Sequence, residues 1–382
     1  MAKLGDICKF QSGGTPSKNN SEYFDGTIPW ITTVALNGST IDSNNAVEWI
    51  TDRAIAESAA KIVPTNSIMV GTRVGVGKVA INAVPMSTSQ DVISLLEIDE
   101  TQWDKNYLCK FILGQNAYLT SQARGATIKG IKIEILAGLL IPEISLEMQR
   151  RVAKTLDRIE NLISLRKQQL AKLDELVKAR FVELFGDTIL NPFGWEKDSL
   201  GAVCDVRDGT HDSPQYYETG YPLVTSKNVT GGKIDLTDCS LICEADFKKI
   251  NERSKVDIGD IIMPMIGTVG KPVIVDVEPV FAIKNVALIK FKTNSKVLNI
   301  YIRALLQSDY FDDAVLSKVR GGTQKFISLG DIRKLSVLVP PVELQEQFAA
   351  FVEQADKSKL TVQKSLDTLE VMKKALMQKY FG

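Results

Sequence analysis

The sequence predicts an α/β (α+β) protein: two pseudo-repeated globular domains separated by two long helices that form an antiparallel coiled coil. Three observations predict it. The chain repeats itself at an offset of 196 residues, as from Leu4 to Leu200. Each copy opens on short Val/Ile-rich runs broken by Gly, Pro and Asn. Each copy closes on a stretch, 146–186 or 342–382, that is almost free of Gly and Pro and carries a heptad.

The repeat shows at four places in one register. LGDICKFQSGGTPS (4–17) faces LGAVCDVRDGTHDS (200–213), matching at Leu4/Leu200, Gly5/Gly201, Cys8/Cys204, Gly13/Gly209 and Ser17/Ser213. RGATIKGI (124–131) faces RGGTQKFI (320–327), LEMQRRVA (146–153) faces VELQEQFA (342–349), and Phe185-Gly186 faces Phe381-Gly382. Coincidence between short segments does not give four matches at one offset. Between them the register slips by two or three residues, so that YLCKFILG (107–114) resembles YIRALLQS (301–308) and GVGK (75–78) resembles TVGK (268–271). Variable loops on a shared scaffold produce such slippage.

The partition that follows is a first domain at 1–145, a helical spacer at 146–186, a second domain at 187–341 and a C-terminal helical spacer at 342–382. The runs SIMVGTRVGVGKVAI (67–81) and DIIMPMIGTVGKPVIV (260–275) read as hairpins. From Val152 to Leu184 seam residues alternate spacings of four and three, and from Phe348 to Tyr380 they do so again. That is a coiled-coil seam. Its polar positions alternate between copies, Arg166 against Val362 and Ile163 against Lys359, so the two helices pair with each other or with a larger partner surface. Two unrelated surface helices are the plainer alternative.

Composition excludes some classes. With 44% hydrophobic and 24% charged residues in 382, the chain is globular and long enough for two cores. No apolar run approaches the roughly 20 residues of a spanning helix, and MAKLGDICKF puts Lys and Asp where a signal peptide has its apolar stretch. The expected location is the cytoplasm. Five scattered cysteines do not make a disulfide framework. Lys+Arg and Asp+Glu balance at 46 each, so composition alone gives nucleic acid no support.

Catalytic motifs fail in turn. In GTRVGVGKVA (71–80) Thr72 and Val79 stand where a P-loop needs Gly and Ser/Thr. The G-x-G-x-x-A there lacks an acidic ribose ligand in a βαβ setting, and a hairpin turn explains it better. Asn191-Pro192-Phe193 lacks the second proline of the adenine-methyltransferase tetrapeptide. His211 is the only histidine, its counterpart in the first copy is Thr15, and Cys239 and Cys243 have no partner pair for a zinc ribbon. The sequence gives no active site and no metal site.

The order LGDI…SGGTPS…GTIPWI…RGATIKGI…IPEISLEMQ, then a heptad helix ending in LFGD, resembles the specificity subunits of type I restriction-modification systems. The second copy repeats it with GWEKDSLGAVC, TSKN, RGGTQKFI and VPPVELQEQ, so the resemblance covers essentially the whole chain. Ile144-Ser145 stands where the second copy has the family-typical Pro340-Pro341, and HDSP (211–214) replaces the GTPS form. Both departures bear on local loop shape. The resemblance implies that each globular part is a target recognition domain for half of a bipartite double-stranded DNA site. It implies that the helices set the half-site separation and dock two methyltransferase subunits, with restriction/motor subunits joining for cleavage. S-adenosylmethionine, ATP and Mg are then expected on those partners, and this chain is no enzyme. A helix from 152 to 184 spans about 50 Å, roughly 15 base pairs of duplex.

The DNA-binding candidates are polar residues in glycine-rich loops. The first copy offers Ser12, Gly13, Gly14, Thr15, Ser17 and Lys18, the hairpin tip Arg73 and Lys78, and the loop Arg124, Thr127 and Lys129. The second offers Arg207, Asp208, Thr210, His211, Thr225, Lys227, Asn228, Lys271, Arg320, Thr323, Gln324 and Lys325. Arg and Lys address guanine and Asn or Gln adenine in the major groove. Equally, glycines shape turns and polar groups are merely solvated. Arg124 and Arg320, repeated in both copies, suit phosphate or loop bracing, because the halves should read different bases. Two other classes compete: a self-contained DNA methyltransferase or nuclease, which needs a motif the sequence lacks, and a coiled-coil scaffold without DNA, which leaves the duplicated loop-rich domains unexplained.

Overall fold

The computed structural model describes residues 1–125, 129–265, 271–311 and 326–382. It divides into two compact units, Met1–Lys167 with Lys364–Gly382, and Gln168–Gln363. The division falls inside both long helices rather than at their starts.

In unit 1 the apolar runs become strands because their β-branched residues alternate with turn formers. A five-stranded sheet runs Lys9–Ser12, Val92–Leu96, Ile68–Gly71, Val79–Asn82, Thr40–Ile41. The segment 67–81 is an antiparallel hairpin, Ile68 facing Ile81 and Val70 facing Val79. A second sheet orders Glu48–Ile50, Phe24–Ile31, Met86–Thr88, Ile62–Val63, the middle pair parallel. The helix Lys105–Gly114 starts where the Asp104 side chain accepts from the Tyr107 amide. Its face Tyr107, Leu108, Phe111 and Ile112 is buried in the main core.

Unit 2 repeats this plan. Its main sheet orders Asp205–Asp208, Val286–Lys290, Ile261–Pro264, Val273–Ile274, and its second Ser240–Ile242, Tyr221–Val224, Ala282–Ile283, again with a parallel pair. The repeated Leu-Gly now has a physical reason. Leu4 and Leu200 are fully buried, and Gly5 and Gly201 lie so close to Ala137 and Arg333 that an added Cβ would sit 3.0 and 3.1 Å from theirs. The repeated cysteines are core residues as well: burial pushes the Cys8 and Cys204 thiols up to about 12, far from a nucleophile's range.

The long helices are Leu146–Phe185 and Val342–Phe381. Every seam position between Val152 and Leu184, and between Phe348 and Tyr380, is buried or half-buried, and the flanking Lys167, Gln168 and Gln169 are exposed. Pairing is antiparallel within each unit. In unit 1 Glu160 meets Lys373 at 2.8 Å and Lys167 meets Glu370 at 3.1 Å; in unit 2 Asp174 meets Lys359 at 2.6 Å. The polar seam residues therefore have partners. Lys110, 4% exposed, joins the first network through Asp157 (2.8 Å) and Glu160 (2.6 Å). Burial alone would discharge it, but these hydrogen bonds outweigh that and hold the ammonium above its usual range.

Each helix ends in the other copy's unit. Phe185 packs on Tyr301 with ring centroids 4.8 Å apart, beside Phe181 and Phe348. Phe381 packs on Tyr107 at 5.3 Å and Phe111 at 5.8 Å. The repeated Phe-Gly is thus an aromatic plug closing the partner copy's core.

The repeated Gln is a buried splint. Gln149 accepts from the Asp104 amide and donates to the carbonyls of Gln102 and Ile144. Gln345, fully buried, accepts from the Leu298 amide and donates to the carbonyls of Lys296 and Pro340. Gln345→Leu strands these backbone groups in the core, at about 1–3 kcal/mol for each group left unsatisfied. We expect about 2–5 kcal/mol less stability in urea unfolding of the full chain. An unchanged unfolding midpoint would remove the splint from the account.

Candidate nucleic-acid interface

In unit 1 the chain leaves one sheet at Thr88 and enters the other at Val92. The intervening turn is closed by the Val92 amide on the Ser89 carbonyl (3.1 Å), and the Ser89 amide bonds the Ile31 carbonyl (2.9 Å). The glycine-rich loop flanks it on one side, with the Gly13 amide on the Val92 carbonyl (3.0 Å) and the Gly14 amide on the Thr88 carbonyl (2.9 Å). On the other side the Thr72 amide bonds the Asp91 carbonyl (2.8 Å), and Arg73 reaches the Asp91 carboxylate at 3.8 Å. The third loop joins through Ile131, whose amide bonds the Thr72 carbonyl (2.8 Å), while Arg124 and Gly130 exchange backbone bonds. The glycine-rich loop and the hairpin therefore meet at one turn, and Arg124, Gly130 and Ile131 join the hairpin through Thr72. Glycine is required where they meet: a Cβ on Gly13 would stand 2.2 Å from Thr88 Oγ1 and 2.3 Å from the Ser89 carbonyl.

Unit 2 builds the same site one residue shorter. Gly209 bonds the Val286 carbonyl (3.0 Å), Thr210 the Ile283 carbonyl (3.0 Å), Lys284 the Val224 carbonyl (2.9 Å) and Ile327 the Met265 carbonyl (2.9 Å), each through its amide. The turn is Lys284–Asn285, with Asn285 in the left-handed region at φ 56°, which Asn tolerates. Ser89, Gln90 and Asp91 stand where unit 2 has two residues. Part of the register slip in the sequence repeat arises here.

His211 braces this turn. Its Nδ1 lies 2.8 Å from Asn285 Oδ1 and its Nε2 2.9 Å from Asp208 Oδ2, and Arg253 pairs with the same carboxylate. Acceptors on both ring nitrogens, Asn285 first and Asp208 second, hold the imidazole proton above its usual range, against burial and the Arg253 charge. The proton-linked hold is fully present below about pH 6.5 and is lost as pH rises through the elevated folded-state value. Because the chain has one histidine, its ring proton resonance can be followed without assignment. We expect a titration midpoint above 6.5 in the wild type that falls in Asp208→Asn; a midpoint indifferent to that change removes Asp208 from the clamp.

The remaining candidates separate by exposure. Ser12, Thr15, Ser17, Arg73, Lys78, Arg124, Lys129, Lys227 and Lys271 are exposed, as is Lys18, which pairs with Glu48 at 3.2 Å. Gly14 is buried, and Arg207 is tied to Asp205 at 2.6 Å and to the Arg253 carbonyl at 2.9 Å. Asp208 and Asn228 differ from these. Both are buried, Asp208 between His211 and Arg253, and Asn228 in a capping box with Thr225 and on the Asp238 carbonyl, so they frame the site. Thr127, Arg320, Thr323, Gln324 and Lys325 lie outside the described residues. The sequence reading missed Gln90, Asp91, Lys284 and Asn285. In STSQDVISL against FAIKNVALI the available signal was a strand, VISL against VALI, preceded by a dissimilar pair.

The family model described as "Type I restriction modification DNA specificity domain" matches residues 1–175 and 192–371. The chain is 27% identical over 408 residues to the type I restriction enzyme MjaIX specificity subunit of Methanocaldococcus jannaschii, covering 99% of this chain and 91% of that protein. It is 28% identical over 199 residues to the EcoR124I/EcoR124II specificity subunit of Escherichia coli, covering 49% of this chain and 47% of that one. In fold it is similar to the S subunit of a type I restriction-modification system from M. genitalium, at TM-score 0.60 and 17% identity, over 100% of this chain and 95% of that chain. A chain solved for the assembly and conformational transition of the type I R-M system gives TM-score 0.60 and 19% identity, over 100% and 96%.

Proposed function

The chain belongs to the type I restriction modification DNA specificity family, and from that premise we propose that each of its two units reads one half of an asymmetric bipartite double-stranded DNA site. As a type I specificity subunit it docks two methyltransferase subunits along the long helices, and restriction/motor subunits join them. The helices hold the half-sites apart. S-adenosylmethionine, ATP and Mg belong to those partners, and this chain performs no bond-making step. Among the described residues no group of three or more His, Cys, Asp and Glu is placed to hold a metal, and no helix is long and apolar enough to cross a membrane.

The observation that carries this reading is the meeting, in unit 1, of a glycine loop and the base of the basic hairpin at Thr72 and Arg73 on one turn, with Arg124 and Ile131 joined through Thr72, and the same turn and glycine bond rebuilt in unit 2. Exposed Arg and Lys at the rim supply phosphate attraction that a neutral chain lacks in bulk. Mapping methylated adenines in a host with and without the gene tests it. A two-part motif with unlike halves that disappears with the gene is expected; a single continuous motif, or no change, overturns it.

A further inference from the structure

Between Met86 and Leu95 every residue is buried except Gln90, which is exposed, and Asp91, which is half-buried. Between Phe281 and Ile289 every residue is buried except Lys284 and Asn285, both half-buried. Each turn therefore rises to the surface from an otherwise closed strand pair, at the point where the glycine-rich loop meets it. Its backbone is committed to the scaffold on both sides by the bonds described above. Only its side chains are left to face a ligand.

The scaffolds match, but the tips do not. One unit presents Gln-Asp, the other Lys-Asn. Asp91 is engaged by Arg73, and Asn285 by His211 through its carbonyl oxygen. Among the described residues Gln90 has no such tie, and its amide carries the donor and acceptor that match adenine N7 and N6 in the major groove. Lys284 gives one hydrogen bond to Ser213 Oγ at 2.8 Å and keeps two ammonium protons for the acceptors O6 and N7 of guanine. A shared rigid frame with unlike tips is what two readers of unlike half-sites require. Residues common to both copies cannot supply that difference.

Resting on the proposed DNA-reading function, we propose that these two turns are specificity elements, Gln90 reading a base pair in the half-site of unit 1 and Lys284 one in the half-site of unit 2.

The test uses the full chain in complex with its methyltransferase subunits, presented with a pool of randomised duplexes whose bound fraction is sequenced. Gln90→Ala is expected to reduce discrimination about ten- to a hundredfold at one base pair of one half-site. The other half and the salt dependence should stay as in the wild type. Lys284→Ala should do the same in the other half, and Gln90→Lys should change the preferred base rather than erase it. Uniform weakening with a shallower salt slope and no change in preference would make these phosphate contacts and overturn the assignment. So would wild-type preference in all three variants. A wild-type complex with no sequence preference overturns the DNA-reading function itself, and the assignment with it.

Discussion

Replacing Leu170 and Leu366 together by aspartate is expected to abolish co-purification of the methyltransferase subunits and specific DNA binding in one step. Leu366 is 5% exposed and Leu170 half-buried, each on the seam of its own unit. A carboxylate there loses much of its hydration, at a cost of several kcal/mol unless the helices part. The sheets have their own buried strands, so circular dichroism should keep its β signal while assembly is lost. Leu366→Ala is the milder control, at about 2–4 kcal/mol. A double aspartate variant that still holds two methyltransferase subunits and modifies the same site would remove the helices from assembly.

Exchanging residues 1–145 for the first domain of another family member should rewrite one half of the methylated motif and leave the other half intact. The structure adds a condition. Unit 1 is completed by 146–167 and 364–382, so the incoming domain must present a pocket for Phe381 and a cation for Asp157 and Glu160. A donor with a residue other than Lys or Arg at the place of Lys110 leaves Asp157 without that cation and Glu160 with Lys373 in its place, and we expect it to be less stable than a donor that keeps the cation. Methylation altered in both halves would contradict independent readers.

Much of the architecture was legible because it obeys short periods. The heptad from Val152 to Leu184 predicts a buried seam directly, and the Gly13/Gly209 identity marks a place where backbone approaches backbone. The seam charges were legible only as anomalies. Lys373 and Lys359 needed three-dimensional partners, Glu160 and Asp174, that no spacing rule supplies. The turns Gln90–Asp91 and Lys284–Asn285 were hidden for a different reason. A residue whose role is to differ between copies leaves no repeat, and a two-residue turn inside a buried strand pair carries no periodicity. For Asp208 and Asn228 the sequence reports polarity, and only the structure adds their burial.

The exchanged helix ends also order the events of biosynthesis. The plug for unit 1, Phe381, is 266 residues downstream of Gln115, whose side chain holds its carbonyl. Unit 2 draws Phe181 and Phe185 from chain already made when Tyr301 and Phe348 emerge. Unit 1 stays unplugged until translation has passed through the whole of unit 2, leaving Tyr107 and Phe111 uncovered to chaperones and proteases in the interval. A polypeptide that ends at Gln363 holds all of unit 2 but leaves Tyr107 and Phe111 of unit 1 without Phe381.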